Sequence, residues 1–140
     1  MLDTITTGLS FFLAAMAALS LVVGGIGIMN IMLIRVAERT REIGLRKAVG
    51  ATTQAVMSQF LVESSVITFI GGLIGIIVGA VISFLIAVVA QYLGYAWPFI
   101  VPLLSIILAV GVSVAIGLLF GLYPAQRASK LNPIEALRYE

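Results

Sequence analysis

Glu38, Arg39, Arg41, Glu42, Arg46 and Lys47 place six of the chain's fourteen charged side chains within ten residues, in the stretch ERTREIGLRKAVGAT. Carboxylates and guanidinium groups at these spacings form ion pairs and charge-assisted hydrogen bonds, with one another or with a partner surface. On a helix, Arg35, Glu38, Arg39, Glu42 and Arg46 share one stripe, because steps of three, four and seven residues return to one face. Val36 and Ile43 lie to one side of that stripe, and Leu45 and Val49 flank the other. Glu42 precedes Arg46 by four residues, the favourable order for a helical pair worth about 0.2 to 0.5 kcal/mol. Such a pair stabilises little. No catalytic constellation is visible: with no histidine and no cysteine, disulfides and thiolate metal sites are excluded, and metal ligation would rest on scattered carboxylates. A net charge of +2 is too small to argue for nucleic acid.

The elements that must position this island are apolar. The 140 residues are 61% hydrophobic and 10% charged, with a mean hydropathy of +1.21, outside the usual range of soluble domains. Residues 4–34 and 64–126 carry no charge, and both runs exceed the roughly 18 to 20 residues a spanning helix needs. QYLGYAWPFIVP, residues 91–102, divides the second run. Gly94, Pro98 and Pro102 punctuate it, and Tyr92, Tyr95 and Trp97 suit a headgroup belt. The pattern predicts an all-α membrane protein with transmembrane helices at 9–34, 66–90 and 103–123. Between them lie an extracytoplasmic segment at 1–8, a cytoplasmic elbow with an amphipathic helix at 35–65, an extracytoplasmic loop at 91–102 and a cytoplasmic tail at 124–140. Sixteen residues between Ser64 and Ala90 are Val, Ile, Leu or Phe, which favours insertion by roughly 5 to 10 kcal/mol before small and polar residues subtract.

Orientation follows from the basic residues. Arg35, Arg39, Arg41, Arg46 and Lys47 follow the first span, Arg127, Lys130 and Arg138 follow the third, and the loop between the second and third has no charge. The island and tail are therefore expected in the cytoplasm, with the amino terminus outside. The first run does not read as a signal peptide, which would begin with a positive segment and a shorter apolar core. With only Asp3 before the first span, the pattern predicts an upstream helix and external domain in the complete protein.

Gly44 reads as a bend within the elbow, Gly50 as a helix stop, and Thr52 or Thr53 as the cap of the next helix. The island has two readings: a basic anchor that holds the loop inside and touches anionic lipid, or a shaped surface for a protein partner. Interleaved acids on a rigid helix favour the second.

Gly71, Gly75 and Gly79 recur every four residues, and Ser83 and Ala87 extend that face, a spacing that lets two helix backbones approach closely in lipid. The third span has its own series in Ser113, Gly117, Gly121 and Ala125, and the first has Ser20 and Gly24. A tightly packed bundle or dimer is implied, with the partner of the glycine face left open. Asn30 reads as interfacial or as a helix-to-helix hydrogen bond rather than a transport site, and Glu63 as a solvated end residue. Pro124 is expected to end or kink the third helix. Asn132, Pro133 and Glu135 read as cap, first and third positions of a short helix, which either ends the chain or docks a partner.

ERTREIGLRKAVGAT after a membrane helix, GGLIGIIVG about twenty residues later and YPAQRASKLNPIEALRYE at the end together resemble the permease subunit of MacB/FtsX-type ABC transporters. Family members have a further membrane helix and a large extracytoplasmic domain, so this chain is similar to their last three helices. The resemblance implies a permease dimer in the bacterial inner membrane beside cytoplasmic ATPases. Those ATPases hold ATP and magnesium, with no cofactor in this chain, which lacks a G-x-x-x-x-G-K-[ST] loop. It makes Glu38, Arg39, Arg41, Glu42, Arg46 and Lys47 an ATPase-coupling surface on a coupling helix, shaped by Gly44 and Gly50. Family members move drugs, peptides or lipoproteins, or switch on a cell-wall hydrolase. From a different class, a self-associating, lipid-binding membrane protein without an ATPase also fits the residues.

Overall fold

Long stretches rich in Leu, Ile, Val and Ala fold as helices despite the glycines within them. The computed structural model describes residues 1–138; Tyr139 and Glu140, the end of the expected tail, lie outside the described residues, as do the side chains of Glu135, Leu137 and Arg138. The elements are α1 (Leu2–Glu38), α2 (Thr40–Ala48), α3 (Thr53–Tyr92), α4 (Leu103–Ser129) and α5 (Pro133–Arg138). Three of them, α1, α3 and α4, are long and apolar enough to cross a membrane. With 37 and 40 residues and a rise of about 1.5 Å per residue, α1 and α3 each reach roughly 55 to 60 Å. A hydrocarbon core is only about 30 Å thick, so each helix is an unbroken rod longer than a membrane crossing requires.

Punctuation residues end these rods where their chemistry requires. Gly50 takes φ +104, its N–H donates to the Lys47 carbonyl at 3.1 Å, and the Ala51 N–H donates to the Arg46 carbonyl at 2.9 Å. These are the paired bonds that satisfy the last carbonyls of a helix. Gly94 closes α3 in the same way, with φ +86 and bonds back to Gln91 and Ala90. The Thr52 hydroxyl accepts from the Ala55 N–H at 3.1 Å and caps α3, and the Asn132 carboxamide accepts from the Ile134 N–H ahead of α5.

Two expectations are corrected. The chain turns between α1 and α2 at Arg39, at φ −97 and ψ 13, not at Gly44, which lies inside α2. Of the two outcomes expected at Pro124, an end or a kink, the first does not occur: α4 runs through it to Ser129. Proline removes one backbone hydrogen bond, and the burial of Pro124, Ala125, Ala128 and Ser129 holds the last turns in place.

α4 packs antiparallel to α3 through small residues in a fixed register. Gly72 meets Ser113, Thr68 meets Gly117 and Ser64 meets Gly121, so each step of four along α4 answers a step of four back along α3. A Cβ at Gly117 or Gly121 would collide with Thr68 or Ser64, and the absent side chains permit this approach. The Ser113 hydroxyl donates across the interface to the Thr68 carbonyl at 2.7 Å. α1 runs parallel to α4, with Gly25 against the Phe120 ring.

One core gathers every element at the charged end. Met32 and Val36 of α1, Ile43 of α2, Val56 and Phe60 of α3, and Ala125 and Ala128 of α4 form a single buried cluster, and Ala136 of α5 is also buried. Residues 1–24 are all exposed. This asymmetry has a physical cause. Lipid tails solvate apolar side chains as well as a neighbouring helix does, so burial drives packing only where water competes, at about 1.5 to 3 kcal/mol per large side chain.

Candidate functional site: the charged elbow

α2 is nine residues long, too short to hold its shape alone, and it is fastened on several sides. Ile43 enters the common core. Gly44 lies against Ala136 of α5, so close that a Cβ there would strike the Ala136 methyl. Lys47 reaches inward, its Nζ donating to the carbonyls of Ser129 and Leu131 at 2.8 Å each. It thus supplies a charged donor where the end of α4 leaves carbonyls unpaired. Arg46 donates to Gln59 Oε1 of α3 at 2.8 Å and pairs with Glu42 Oε1 at 2.5 Å. Arg35 of α1 forms an ion pair with Glu63 of α3, so Glu63 is not the solvated end residue expected; it is half-buried and ties the two rods together. Glu42 in the first turn and Arg46 and Lys47 in the last also complement the dipole of α2.

Of the six charged residues expected on the coupling surface, Glu38, Arg39, Arg41, Glu42 and Arg46 are exposed, whereas Lys47 is half-buried against α4. Among the described residues, Glu38, Arg39 and Arg41 make no side-chain hydrogen bond or ion pair within the chain. Gly50 terminates α2 and Gly44 seats it on α5, so both govern its position. Sequence reasoning placed Leu45 and Val49 beside the stripe without giving them a role. They are 56% and 80% exposed, one turn apart, Leu45 on α2 and Val49 at its C-cap. That juxtaposition was the available signal: an exposed apolar pair beside a charged stripe is a candidate contact surface.

The helix-packing residues divide into two sets. Gly117 and Gly121 lie in the α3–α4 contact, opposite the buried pair Thr68 and Ser64. Gly71, Gly75 and Gly79 have no neighbouring atom where a Cβ would stand, and Ser83 is exposed. α3 therefore meets α4 through Ser64, Thr68 and Gly72 at this end, leaving Gly71, Gly75 and Gly79 open within the single chain, whereas Ala87, further along the same face, is buried. Asn30 is exposed and makes no hydrogen bond among the described residues. No group of three or more His, Cys, Asp or Glu side chains suited to a metal occurs among the described residues.

These features define a class: a multi-pass helical membrane module whose polar elbow is fixed to all three long helices. The sequence matches the family model described as FtsX-like permease C-terminal over residues 14–133, and the chain belongs to that family of ABC transporter permeases. It is 56% identical over 139 residues to the macrolide export ATP-binding/permease protein MacB of Bdellovibrio bacteriovorus, covering 99% of this chain and 21% of that protein. It is 47% identical over 136 residues to the uncharacterized ABC transporter permease YknZ of Bacillus subtilis, covering 97% of this chain and 33% of that protein. With MacB of Rhodopirellula baltica it shares 49% identity over 133 residues, covering 95% of this chain and 19% of that protein. The chain thus spans a fifth to a third of the length of these relatives.

Proposed function

We propose that this chain is the membrane portion of an ABC-type export or mechanotransmission permease. Its elbow takes up the motion of a cytoplasmic ATPase, and its long helices carry that motion to an extracytoplasmic domain. The ATPase holds ATP and magnesium, the module sits in the bacterial inner membrane, and the basic end, with the elbow and carboxyl terminus, faces the cytoplasm under the positive-inside rule. The observation that carries this reading is the attachment of the elbow: outward, the end of α1 presents Glu38, the turn presents Arg39 and α2 presents Arg41, Glu42 and Arg46, while α2 is joined to α3 by Arg46 and to α4 by Lys47. A push on α2 therefore reaches two spanning helices through direct bonds. Relatives named as ATP-binding/permease proteins support an ATPase partner or domain. The open glycine face of α3 supports a second permease copy as the other membrane partner.

The test is co-purification of the cognate ATPase with the wild-type protein and with the double variant Glu42→Arg/Arg46→Glu. The swap keeps the pair, the net charge and a contact to Gln59, whose amide can turn to donate. Its adverse order along the helix costs only about 0.3 to 1 kcal/mol. Coupling predicts that wild type retains the ATPase and the variant loses it. Equal retention, or none by either, removes the role assigned to the elbow.

A further inference from the structure

A cleft of about 270 Å³ opens at the charged end between the α1–α2 joint and the α4–α5 junction, walled by Leu33, Val36, Ala37 and Leu131 and edged by Arg127 and Asn132. Arg127 is exposed and has no carboxylate partner among the described residues. Asn132 uses its Oδ1 to accept from the Ile134 N–H, which leaves its amide N–H groups to donate elsewhere. Thr40, also at the cleft, donates its hydroxyl proton to the Val36 carbonyl at 2.9 Å and adds no donor. A cationic fork and a carboxamide beside an apolar wall suit an anion that carries a hydrocarbon body.

The level of the cleft identifies the source of that anion. α1 and α4 run parallel with Gly25 against Phe120, so seven residues on, Met32 and Arg127 stand at one height. Leu33 belongs to the last uncharged turn of α1, and Arg35 is the first charge after it. The apolar wall therefore faces acyl chains and the polar edge faces headgroups. The volume lies just below the range of about 300 to 1,000 Å³ that encloses drug-sized ligands, which fits a phosphoglycerol head and leaves the tails in the bilayer. We propose that this cleft holds the headgroup of an anionic phospholipid from the adjacent leaflet, its phosphate on Arg127 and Asn132 and the first carbons of its acyl chains against Leu33 and Ala37. The proposal rests on the membrane placement of the three helices and is independent of ATPase coupling.

The test places the complete protein in nanodiscs of phosphatidylcholine containing a minority of phosphatidylglycerol and counts the lipid retained per chain by native mass spectrometry. Wild type is expected to retain phosphatidylglycerol in preference to phosphatidylcholine. Arg127→Gln should lower that retention about fivefold, the usual effect of one basic residue at an anionic surface. Ala37→Trp, which fills the apolar wall and keeps the charge, should lower it similarly, whereas Lys130→Gln, an exposed neighbour outside the cleft, should not. Retention unchanged in both Arg127→Gln and Ala37→Trp overturns the site, as does equal loss in Lys130→Gln or equal retention of the two lipids. Millimolar inorganic phosphate in lipid-free detergent should leave no adduct. A phosphate adduct abolished by Arg127→Gln would identify a free-anion site and overturn the lipid assignment. Failure of ATPase co-purification leaves all these readouts unaffected.

Discussion

The Lys47 ammonium donates at 2.8 Å to the carbonyl of Ser129, joining the elbow to the end of the last long helix across most of the sequence. Its second bond, to Leu131, makes one side chain the tie between α2 and the turn that leads into α5. Lys47→Met keeps the aliphatic stem and removes the donor, leaving two carbonyls without their charged partner. We expect a loss of about 1 to 3 kcal/mol, read as lowered thermal stability in mild detergent. Tryptic cleavage after Arg127 and Lys130 should be faster. Unchanged cleavage in Lys47→Met would mean that the core alone holds this end of α4.

The α3–α4 register makes a graded prediction. Gly117→Leu drives a side chain into Thr68 and Gly121→Leu drives one into Ser64, and such overpacking costs about 1 to 3 kcal/mol. Ser113→Ala removes only the hydrogen bond to the Thr68 carbonyl, and membrane-embedded bonds of this kind average about 0.6 kcal/mol. Unfolding measured by steric trapping in bicelles should therefore rank both leucine variants well below Ser113→Ala. A reversed order would contradict close backbone approach as the basis of this contact.

The spans and their punctuation were legible because they depend on local chemistry: uncharged runs, Gly50 and Gly94 at positive φ, and Thr52 and Asn132 as caps. What sequence could not show was which of two adjacent small-residue stripes on α3 would meet α4. Gly71 and Gly72 are neighbours in sequence, yet the first faces open space and the second faces Ser113. A rotation of one residue about the helix axis separates them, and no composition rule fixes it. Glu63 was misread for a related reason, since its partner Arg35 lies 28 residues away on another helix. The bend at Arg39 was hidden because an ordinary residue makes it, while Gly44, the obvious breaker, is needed for contact with Ala136. Lys47 resembled its exposed neighbours until the end of α4 was placed beside it.

The open face of α3 separates folding from self-association. Gly75 has no neighbour within the chain, so Gly75→Leu should change the stability of a single chain by no more than about 0.5 kcal/mol. If a second copy packs on that face, the same substitution should weaken association, read as lost energy transfer between donor- and acceptor-labelled chains in liposomes. Energy transfer equal to wild type would rule this face out as a contact between copies.

Leu45 and Val49 give the sharpest separation of docking from lipid anchoring. Leu45 is exposed on α2 and Val49 at its C-cap, and neither belongs to the buried core, so Leu45→Ser/Val49→Ser should leave helix content and thermal stability near wild type. Should an ATPase cover them, each loses a contact worth about 1.5 to 3 kcal/mol when fully buried, and even half of that total weakens binding about tenfold or more. Titration of the purified ATPase against the reconstituted protein reads this directly. If Leu45 and Val49 instead dip into the bilayer, the double variant should retain the ATPase, while a tryptophan placed between them by Ala48→Trp in a Trp97→Phe background should be quenched less by brominated lipids than in the parent protein. Normal ATPase affinity in this variant would exclude the apolar pair from the docking face and confine recognition to the charged residues Glu38, Arg39, Arg41, Glu42 and Arg46.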